Sequence, residues 1–256
     1  MRIVIFTQND VFYLGRHLDY LIKNMPSFVQ IDGFVVLGFS PFGKESYLLK
    51  KIYRIYESFG LFYSLKYMIK YLHIQIFDRK YLIRNILNKY NIPEIKLPNN
   101  NINSAQSLNM LNSLKLDLII SISANQIFKK KLLQLPKYGC INLHTALLPK
   151  YKGLMPTFWA LKNNEPEIGV TVFFMDEGID TGDIIVQDKL PILPSDTLEL
   201  LINKTKRLGM DAIIKAINLI YSGNAKTFRP PEEGSYYTFP TRKDVNEFIA
   251  SGKLLW

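Results

Sequence analysis

The segment Asn142-Leu143-His144, followed by Leu147-Leu148-Pro149-Lys150-Tyr151-Lys152-Gly153, is the most informative part of this chain. Alternate residues of a strand point to the same face, so the amide of Asn142 and the imidazole of His144 can converge on one carbonyl oxygen. Pro149 and Gly153 bound a short turn that leaves the carboxyl end of the strand open. Open α/β sheets bind their ligands at that end, so the segment predicts an acyl-transfer site.

A carboxylate follows in the loop Gly178-Ile179-Asp180-Thr181-Gly182, 36 positions beyond His144. The glycines permit a close approach of the backbone, and Asp180 is a natural partner for the imidazole. Each residue alone is a weak signal. A lone histidine beside an apolar strand is more often a hydrogen-bonded core residue, and an Asp between glycines usually forms a turn. Their combination favours catalytic roles for Asn142, His144 and Asp180.

Over about residues 115 to 190, these motifs resemble those of the formyltransferases that use 10-formyltetrahydrofolate. That family has an Asn-x-His pair on a strand, a Leu-Leu-Pro-x-Tyr/Trp-x-Gly turn and an Asp in a Gly-Leu/Ile-Asp-x-Gly loop. One departure is the His144-Thr145-Ala146 sequence, because the family usually has His-x-Ser. The contact of that serine hydroxyl is expected to be missing or to come from Thr145.

The resemblance implies a 10-formyltetrahydrofolate cosubstrate, no metal and no covalent formyl-enzyme. In the family, backbone groups hold the pterin ring, and here they correspond to Ile122, Ala124, Asp176 and Thr181. Asn125-Gln126 could alternatively only cap the next helix. During transfer, Asn142 and a protonated His144 would stabilise the developing oxyanion. Asp180 would orient the imidazole, favour its charged form and relay the proton of the amine.

Composition predicts one large α/β domain, or such a domain with a small appendage, because 256 residues with 48% hydrophobic content supply a sizeable core. The N-terminal residues show no pattern of a signal peptide, and no run has the length of a transmembrane helix. The single Cys140 excludes an internal disulfide, which fits a cytoplasmic location. Clusters of His and Cys that could bind a metal are absent from the sequence.

Strand-like runs at 3–6, 34–38, 116–121 and 140–144 alternate with helical patterns, which predicts a mostly parallel, Rossmann-like sheet wound with helices. Thr7-Gln8-Asn9-Asp10 replaces the Gly-x-Gly-x-x-Gly turn, so a nicotinamide dinucleotide is not expected. Strands are also predicted at 169–175 and 183–191, followed by a helix that Asp196 caps and that ends near Tyr221. We predict a catalytic domain over 1–222 and an aromatic, Pro-rich extension over 223–256, with a short helix at 244–250.

Residues 44 to 90 hold ten Lys or Arg against three Asp or Glu, so this segment carries +7 of the net charge of +10. Its apolar residues recur at helical spacing, which predicts amphipathic helices with a core stripe and a basic outer face. Alternatives are attraction to an anionic substrate, to nucleic acid or to an anionic membrane surface. The residues assigned to the core stripe are Leu48, Leu49, Ile52, Ile55, Tyr56, Leu61, Leu65, Met68, Ile69 and Leu72.

The predicted acceptor is a nucleotide-linked amino sugar, such as a dTDP-4-amino-4,6-dideoxyhexose used in surface polysaccharides. The segment Tyr237-Thr238-Phe239-Pro240-Thr241-Arg242-Lys243-Asp244-Val245 resembles tails of formyltransferases that act on amino sugars. Enzymes that formylate methionyl-tRNA are expected to have longer chains with a C-terminal barrel. The residues after Tyr221 are too few for such a barrel. Glycinamide ribonucleotide transformylases lack the basic insert and the tail. A nonenzymatic module that binds folate or nucleotide sugar stays open.

For the acceptor site we predict that Lys150 and Lys152 reach the sugar end, and that Tyr237 or Trp256 stacks on the base. The alternative is a solvated turn and a packed tail. A homodimer is expected through the tail or the basic insert, and nucleic acid is not an expected partner. The identity of the sugar, the nucleotide and the position of the amine are not encoded in any motif.

Overall fold

The computed structural model describes residues 1–40, 48–230 and 233–256. Lys44 and Glu45 of the basic segment, Pro231 and Glu232 of the tail, and the side chains of Leu48 and Leu49 lie outside the described residues. The strands are β1 (Arg2–Gln8), β2 (Gln30–Leu37), β3 (Leu118–Ile122), β4 (Cys140–His144), β5 (Lys152–Gly153), β6 (Glu167–Phe174), β7 (Ile184–Pro191) and β8 (Tyr236–Tyr237).

Across the described part of the chain, six strands form one sheet in the order β2-β1-β3-β4-β6-β7. The first four are parallel to one another, whereas β6 and β7 are antiparallel to their neighbours. The apolar runs of β1 and β3 are buried on both faces, as parallel strands covered by helices require. The prediction of a mostly parallel α/β sheet is therefore confirmed.

The α-helices are α1 (Leu14–Lys23), α2 (Leu48–Phe77), α3 (Ile83–Lys89), α4 (Ala105–Ser113), α5 (Lys130–Leu133), α6 (Pro156–Lys162), α7 (Leu198–Tyr221) and α8 (Arg242–Ala250). Short 3-10 helices lie at Arg79–Tyr81 and Pro98–Asn100. Alternate residues of β1 point to opposite layers: Ile3 and Ile5 pack with α1 and α7, whereas Val4 and Phe6 pack with α4 and α5. Two helical layers thus enclose the sheet and leave the ends of its strands for a site.

The cap of α7 differs from the prediction by one residue. Thr197 is the N-cap, and its hydroxyl accepts a hydrogen bond from the Leu200 N–H. The carboxylate of Asp196 instead accepts the Leu193 N–H at 2.9 Å and pairs with Lys204. Both Thr and Asp are common N-cap residues. The Asp196 carboxylate is bound to the turn at Leu193, so Thr197 caps α7 instead.

The predicted basic outer face is wrong for the second half of α2. Leu61, Leu65, Met68, Ile69 and Leu72, which were assigned to the core, are between 45% and 64% exposed. In the first half, Ile52 and Tyr56 are also exposed, while Ile55 is partly buried. Gly60, at φ 84°, interrupts the helix between the two halves.

The reason is that other apolar residues of α2 occupy its inner face. Phe59 packs edge-on against Phe239, and Tyr63 and Tyr67 contact Trp256. Lysines lie against the protein on this side, since Lys66 sits 4.4 Å above the Trp256 ring and Lys70 pairs with Glu199. The helix is therefore apolar on two sides, which a sequence pattern cannot distinguish from one core stripe.

The C-terminal residues pack closely on the rest of the chain. β8 pairs in parallel with β5, and α8 packs on α2. The backbone carbonyls of Leu254 and Leu255 accept hydrogen bonds from the first residues of α7. The division of the chain at residue 222 stays a prediction. None of the helices in the described ranges combines the length and apolar character needed to span a bilayer.

Candidate active site

A cavity of about 580 Å³ lies at the carboxyl ends of β1, β3 and β4. Asn142, His144 and Asp180 all line it, as the sequence predicted from their spacing. Asn142 and His144 lie two residues apart on β4, and Asp180 approaches them from the loop between β6 and β7. The structure thus brings the three candidate catalytic residues to one site.

His144 is nearly buried, with 8% of its side chain exposed. Its Nε2 lies 2.7 Å from the backbone carbonyl oxygen of Tyr151, which can only accept, so Nε2 carries a proton and donates. Its Nδ1 lies 3.6 Å from Oδ2 of Asp180. The turn residue Tyr151 therefore orients the ring and directs Nδ1 towards the carboxylate.

Asp180 is held by the same turn. Its Oδ2 accepts the backbone N–H of Gly153 at 2.9 Å, and its backbone has φ 54°, in the left-handed region. Gly153 has φ 93°, and a Cβ there would lie 2.3 Å from the Tyr237 carbonyl oxygen. The close packing of Gly153 between Asp180 and the tail explains why the turn ends on this glycine.

Nδ1 of His144 and the carboxylate of Asp180 are close but are not hydrogen-bonded to each other. A distance of 3.6 Å is too long for a direct hydrogen bond, so Nδ1 is available to a substrate group that contacts both atoms from the side of the cavity. Unprotonated Nδ1 accepts a proton, and protonated Nδ1 donates a charge-assisted hydrogen bond. The pair can therefore take a proton from an amine and return one to an oxygen or nitrogen atom.

The expected departure at Ala146 has a local explanation. Ala146 is buried, and its carbonyl oxygen accepts the Thr171 hydroxyl at 2.6 Å. The same hydroxyl accepts the Leu148 N–H at 3.2 Å. Thr145 lines the cavity. A hydroxyl beside position 146 thus comes from Thr171 on β6, which the sequence alone did not indicate.

The predicted folate contacts fall in two groups. Ala124 and Asp176 line the cavity, whereas Ile122 is buried in the sheet between Thr7 and Leu143. The carboxylate of Asp176 accepts the Thr181 hydroxyl at 2.6 Å, which fixes the shape of the loop. Backbone contacts from these four positions stay predictions.

The four predicted acceptor contacts do not line the cavity. Lys150 lies 3.4 Å from Glu165, and Lys152 donates to the backbone carbonyl of Glu233. The Tyr237 ring stacks on both Tyr151 and Trp159, and Trp256 packs on α2. These placements agree with the alternative of a solvated turn and a packed tail.

Lys206 on α7 lines the cavity, although it belongs to none of the predicted motifs. Its Nζ lies 3.5 Å from the Ser123 hydroxyl. Burial lowers the pKa of Lys206, and the opposing attraction of Asp10 is smaller. The sequence feature that could have identified Lys206 is its position one turn after Ile202, on a helical face that otherwise carries apolar or small residues.

Aromatic side chains from the loop before α1, from α2 and from the tail form the wall of the cavity near Asp10. They are Phe12, Tyr13, Phe59, Tyr67 and Phe239. Burial raises the pKa of Tyr67 to about 12 and also raises that of Tyr13, so both phenols stay neutral at physiological pH. The core stripe predicted for α2 included neither Phe59 nor Tyr67, so the sequence did not indicate this wall.

Among the described residues, no group of three His, Cys, Asp or Glu side chains is placed to hold a metal ion. Cys140 shares a face of β4 with Asn142 and His144 but does not line the cavity, because it is buried against α5, with Sγ 3.7 Å from the Leu132 carbonyl oxygen. Burial raises the pKa of the Cys140 thiol, so it is not a reactive group.

A family of proteins described as "Formyl transferase" matches residues 75–217, more than half of the 256 residues. The chain belongs to the formyl transferase family. The methionyl-tRNA formyltransferase of Methylacidiphilum infernorum is 45% identical over 125 residues, which are 49% of this chain and 39% of that protein. The chain spans less than half the length of the curated relatives it matches here.

Two solved members of the formyl transferase family share the fold. The N-formyltransferase of Helicobacter canadensis, in complex with folinic acid and dTDP-3-aminofucose, aligns with a TM-score of 0.57 and 24% identity over 95% of this chain and 72% of its own. The phosphoribosylglycinamide formyltransferase of Anaplasma phagocytophilum aligns with a TM-score of 0.62 and 19% identity over 93% and 98%. At these identities the likeness establishes the fold, and the predicted formyltransferase fold is confirmed.

Proposed function

We propose that this protein is an enzyme that transfers the formyl group of 10-formyltetrahydrofolate to an amine. The observation that carries the proposal is that Asn142, Nδ1 of His144 and the Asp180 carboxylate meet on one cavity. Residues 123–128, 175–176 and 178–180 line the same cavity, and their backbone groups would hold the pterin ring. A module that only binds folate has no use for all three polar groups.

The cosubstrate supplies the formyl carbon as an electrophile on N10. The acceptor amine, in its neutral form, attacks that carbon, and the carbonyl electron pair moves to the oxygen. Asn142 donates its amide N–H to the oxyanion, and protonated Nδ1 of His144 donates a charge-assisted hydrogen bond. Asp180 takes the proton that the attacking nitrogen loses. The oxyanion electron pair then re-forms the carbonyl, the carbon–N10 bond breaks, and protonated His144 donates its Nδ1 proton to N10. Asp180 passes the proton that it took to His144, which restores the site, and the products are a formamide and tetrahydrofolate.

We propose a nucleotide-linked amino sugar as the acceptor, such as a dTDP-4-amino-4,6-dideoxyhexose. The cationic Lys206 suits a diphosphate, and the aromatic wall of Phe12, Tyr13, Phe59, Tyr67 and Phe239 suits the flat face of a base. The enzyme would then act in the cytoplasm, in the synthesis of O-antigen or another lipopolysaccharide component. Lys206 takes the role that the sequence had suggested for Lys150 and Lys152.

A panel of acceptors tests this proposal. The full chain is incubated with 10-formyltetrahydrofolate and dTDP-linked 3-amino and 4-amino sugars, and formylated products are detected by mass spectrometry. Glycinamide ribonucleotide and methionyl-tRNA serve as the other arms. Formylation of a nucleotide sugar with a kcat/KM at least tenfold above the other arms supports the proposal. Equal or greater activity in another arm would assign the acceptor to that class.

Methionyl-tRNA is the second candidate acceptor, because the relative from Methylacidiphilum infernorum is named as a methionyl-tRNA formyltransferase. The basic chain, with a net charge of +10, also suits a nucleic acid. This candidate predicts that activity on methionyl-tRNA falls steeply between 50 and 200 mM salt, as phosphate contacts require (roughly 10³-fold or more for about six contacts). A small nucleotide sugar predicts a much weaker salt dependence.

A further inference from the structure

The outer side of α2 carries a continuous apolar stripe, which we call the α2 stripe. Its residues recur at spacings of three and four positions and are each between 45% and 64% exposed. They are Leu61, Leu65, Met68, Ile69, Leu72 and Ile76. At 1.5 Å per residue the stripe is about 22 Å long, and exposed apolar patches of this extent mark a binding surface on soluble domains.

The α2 stripe does not belong to the active site or to the core. The opposite side of α2 supplies the cavity residues Phe59 and Tyr67, together with Tyr63 and the buried Ile74. Most of α2 also precedes residues 75–217, the part that matches the formyl transferase family. The fold therefore uses one side of this helix and leaves the other without a partner among the described residues.

The cations near the α2 stripe lie at its two ends. Over Leu48–Phe77 the chain has five Lys or Arg and one Glu, a net charge of +4. Two of the five, Lys66 and Lys70, lie on the inner side of α2 against Trp256 and Glu199, and the other three precede Gly60. Beyond the helix, Asp78 pairs with Arg16, whereas Arg79 and Lys80 are exposed. The exposed Phe62 and Phe77 flank the stripe, as aromatic residues do at membrane interfaces.

We propose that the α2 stripe binds the surface of an anionic lipid bilayer, with α2 lying in the plane of the interface. The apolar side chains would enter the boundary between headgroups and acyl chains, and the flanking cations would contact anionic headgroups. A second copy of this chain is a poorer occupant, because it would bring together the cations at the ends of two stripes, such as Arg79 and Lys80. The charge complementarity is therefore with a negative surface.

Vesicle sedimentation tests the proposal without donor or acceptor, so its outcome does not depend on formyl transfer. The full chain is mixed with vesicles of phosphatidylcholine and phosphatidylglycerol, or of phosphatidylcholine alone. We expect binding to the anionic vesicles, at least tenfold weaker binding to the neutral ones, and release at high salt. Binding to neither vesicle would overturn the proposal.

A variant with Leu65→Gln, Ile69→Gln and Leu72→Gln removes the centre of the stripe. A matched variant with Met110→Gln, Leu193→Gln and Ile249→Gln changes three exposed apolar residues elsewhere. We expect at least tenfold loss of vesicle binding in the first and unchanged binding in the second, with the circular dichroism spectra of both as in the parent. Equal effects in the two variants would contradict the proposal.

A second pair of variants tests whether vesicle binding requires the cations beside the stripe. Arg79→Gln with Lys80→Gln is expected to weaken binding to anionic vesicles severalfold, whereas Lys130→Gln with Lys131→Gln on α5 leaves it unchanged. Light scattering of the stripe variant tests whether a second copy of this chain covers the stripe. Conversion of a parent dimer to a monomer, with vesicle binding retained, would assign the stripe to a second copy and contradict the membrane proposal.

Discussion

Nδ1 of His144 lies 3.6 Å from Oδ2 of Asp180, and the backbone N–H of Gly153 holds that oxygen at 2.9 Å. The other ring nitrogen donates to the Tyr151 carbonyl oxygen, so one turn, residues 151–153, positions both candidate catalytic side chains. The imidazole does not depend on Asp180 for its orientation. Asp180 is therefore expected to act on the proton of the amine more than on the placement of the ring.

Asp180→Asn is expected to lower kcat by roughly 10² to 10⁴, because the amide cannot accept the proton of the amine. Asn tolerates the left-handed backbone of this position, at φ 54°, so the loop is expected to keep its shape. Steady-state kinetics should show little change in either KM. Asp183→Asn in the same loop is the matched control, and a similar kcat loss there would argue for a loop effect.

Lys206→Met is expected to raise the acceptor KM by roughly 10- to 100-fold, because a charge-assisted hydrogen bond to the diphosphate is lost. The KM of the folate should stay within about twofold. Lys204→Met, two residues away on α7 and paired with Asp196, is the matched control. A parallel rise of both KM values in the Lys206 variant would remove this residue from the acceptor site.

The lowered pKa of Lys206 gives a pH dependence to acceptor binding. Because burial disfavours its charged form, Lys206 loses its proton at a pH below the usual 10.5. Acceptor affinity should therefore fall as pH rises through that lowered pKa, while folate affinity does not. Equilibrium titration of the acceptor from neutral to alkaline pH measures this, and the fall should be absent from Lys206→Met.

The same shift has a stability consequence. Between the lowered pKa and 10.5 the unfolded chain binds more protons at this site than the folded chain does, so this residue makes stability rise with pH through that window. Lys206→Met should therefore increase the free energy of unfolding at neutral pH. Urea unfolding at pH 7 decides the point, and a less stable variant would contradict it.

Thr241→Ala should destabilise the C-terminal packing by about 1 kcal/mol, because Thr241 and Asp244 form a capping box at the start of α8. Burial raises the pKa of Asp244, but hydrogen bonds from Thr241 and Lys162 outweigh it and leave the pKa below 3.8. This contribution is present above 3.8 and is lost as pH falls through the folded pKa. Thermal unfolding of Thr241→Ala and of the exposed Lys243→Ala compares the cap with a neutral site.

The sequence predicted the parallel strands and the convergence of the candidate catalytic residues, because both follow from local periodicity and motif spacing. It could not place Lys206, since the position of a helical residue in a cavity depends on how α7 crosses the sheet. It also misassigned α2, where apolar residues on two sides gave the pattern of a single core stripe. Tail residues Tyr237 and Trp256 pack against Trp159 and α2, contacts that no local signal encodes.

Single-turnover transfer from 10-formyltetrahydrofolate to a dTDP-linked amino sugar, followed by mass spectrometry, tests the catalytic account most directly. The parent chain and a variant with Asn142→Ala, His144→Gln and Asp180→Asn are compared at saturating concentrations of both substrates. We predict that the parent forms the formamide and that the variant binds the nucleotide sugar with nearly the same Kd but forms no product above the uncatalysed rate. Formation of the formamide by the variant at a rate near that of the parent would contradict the account.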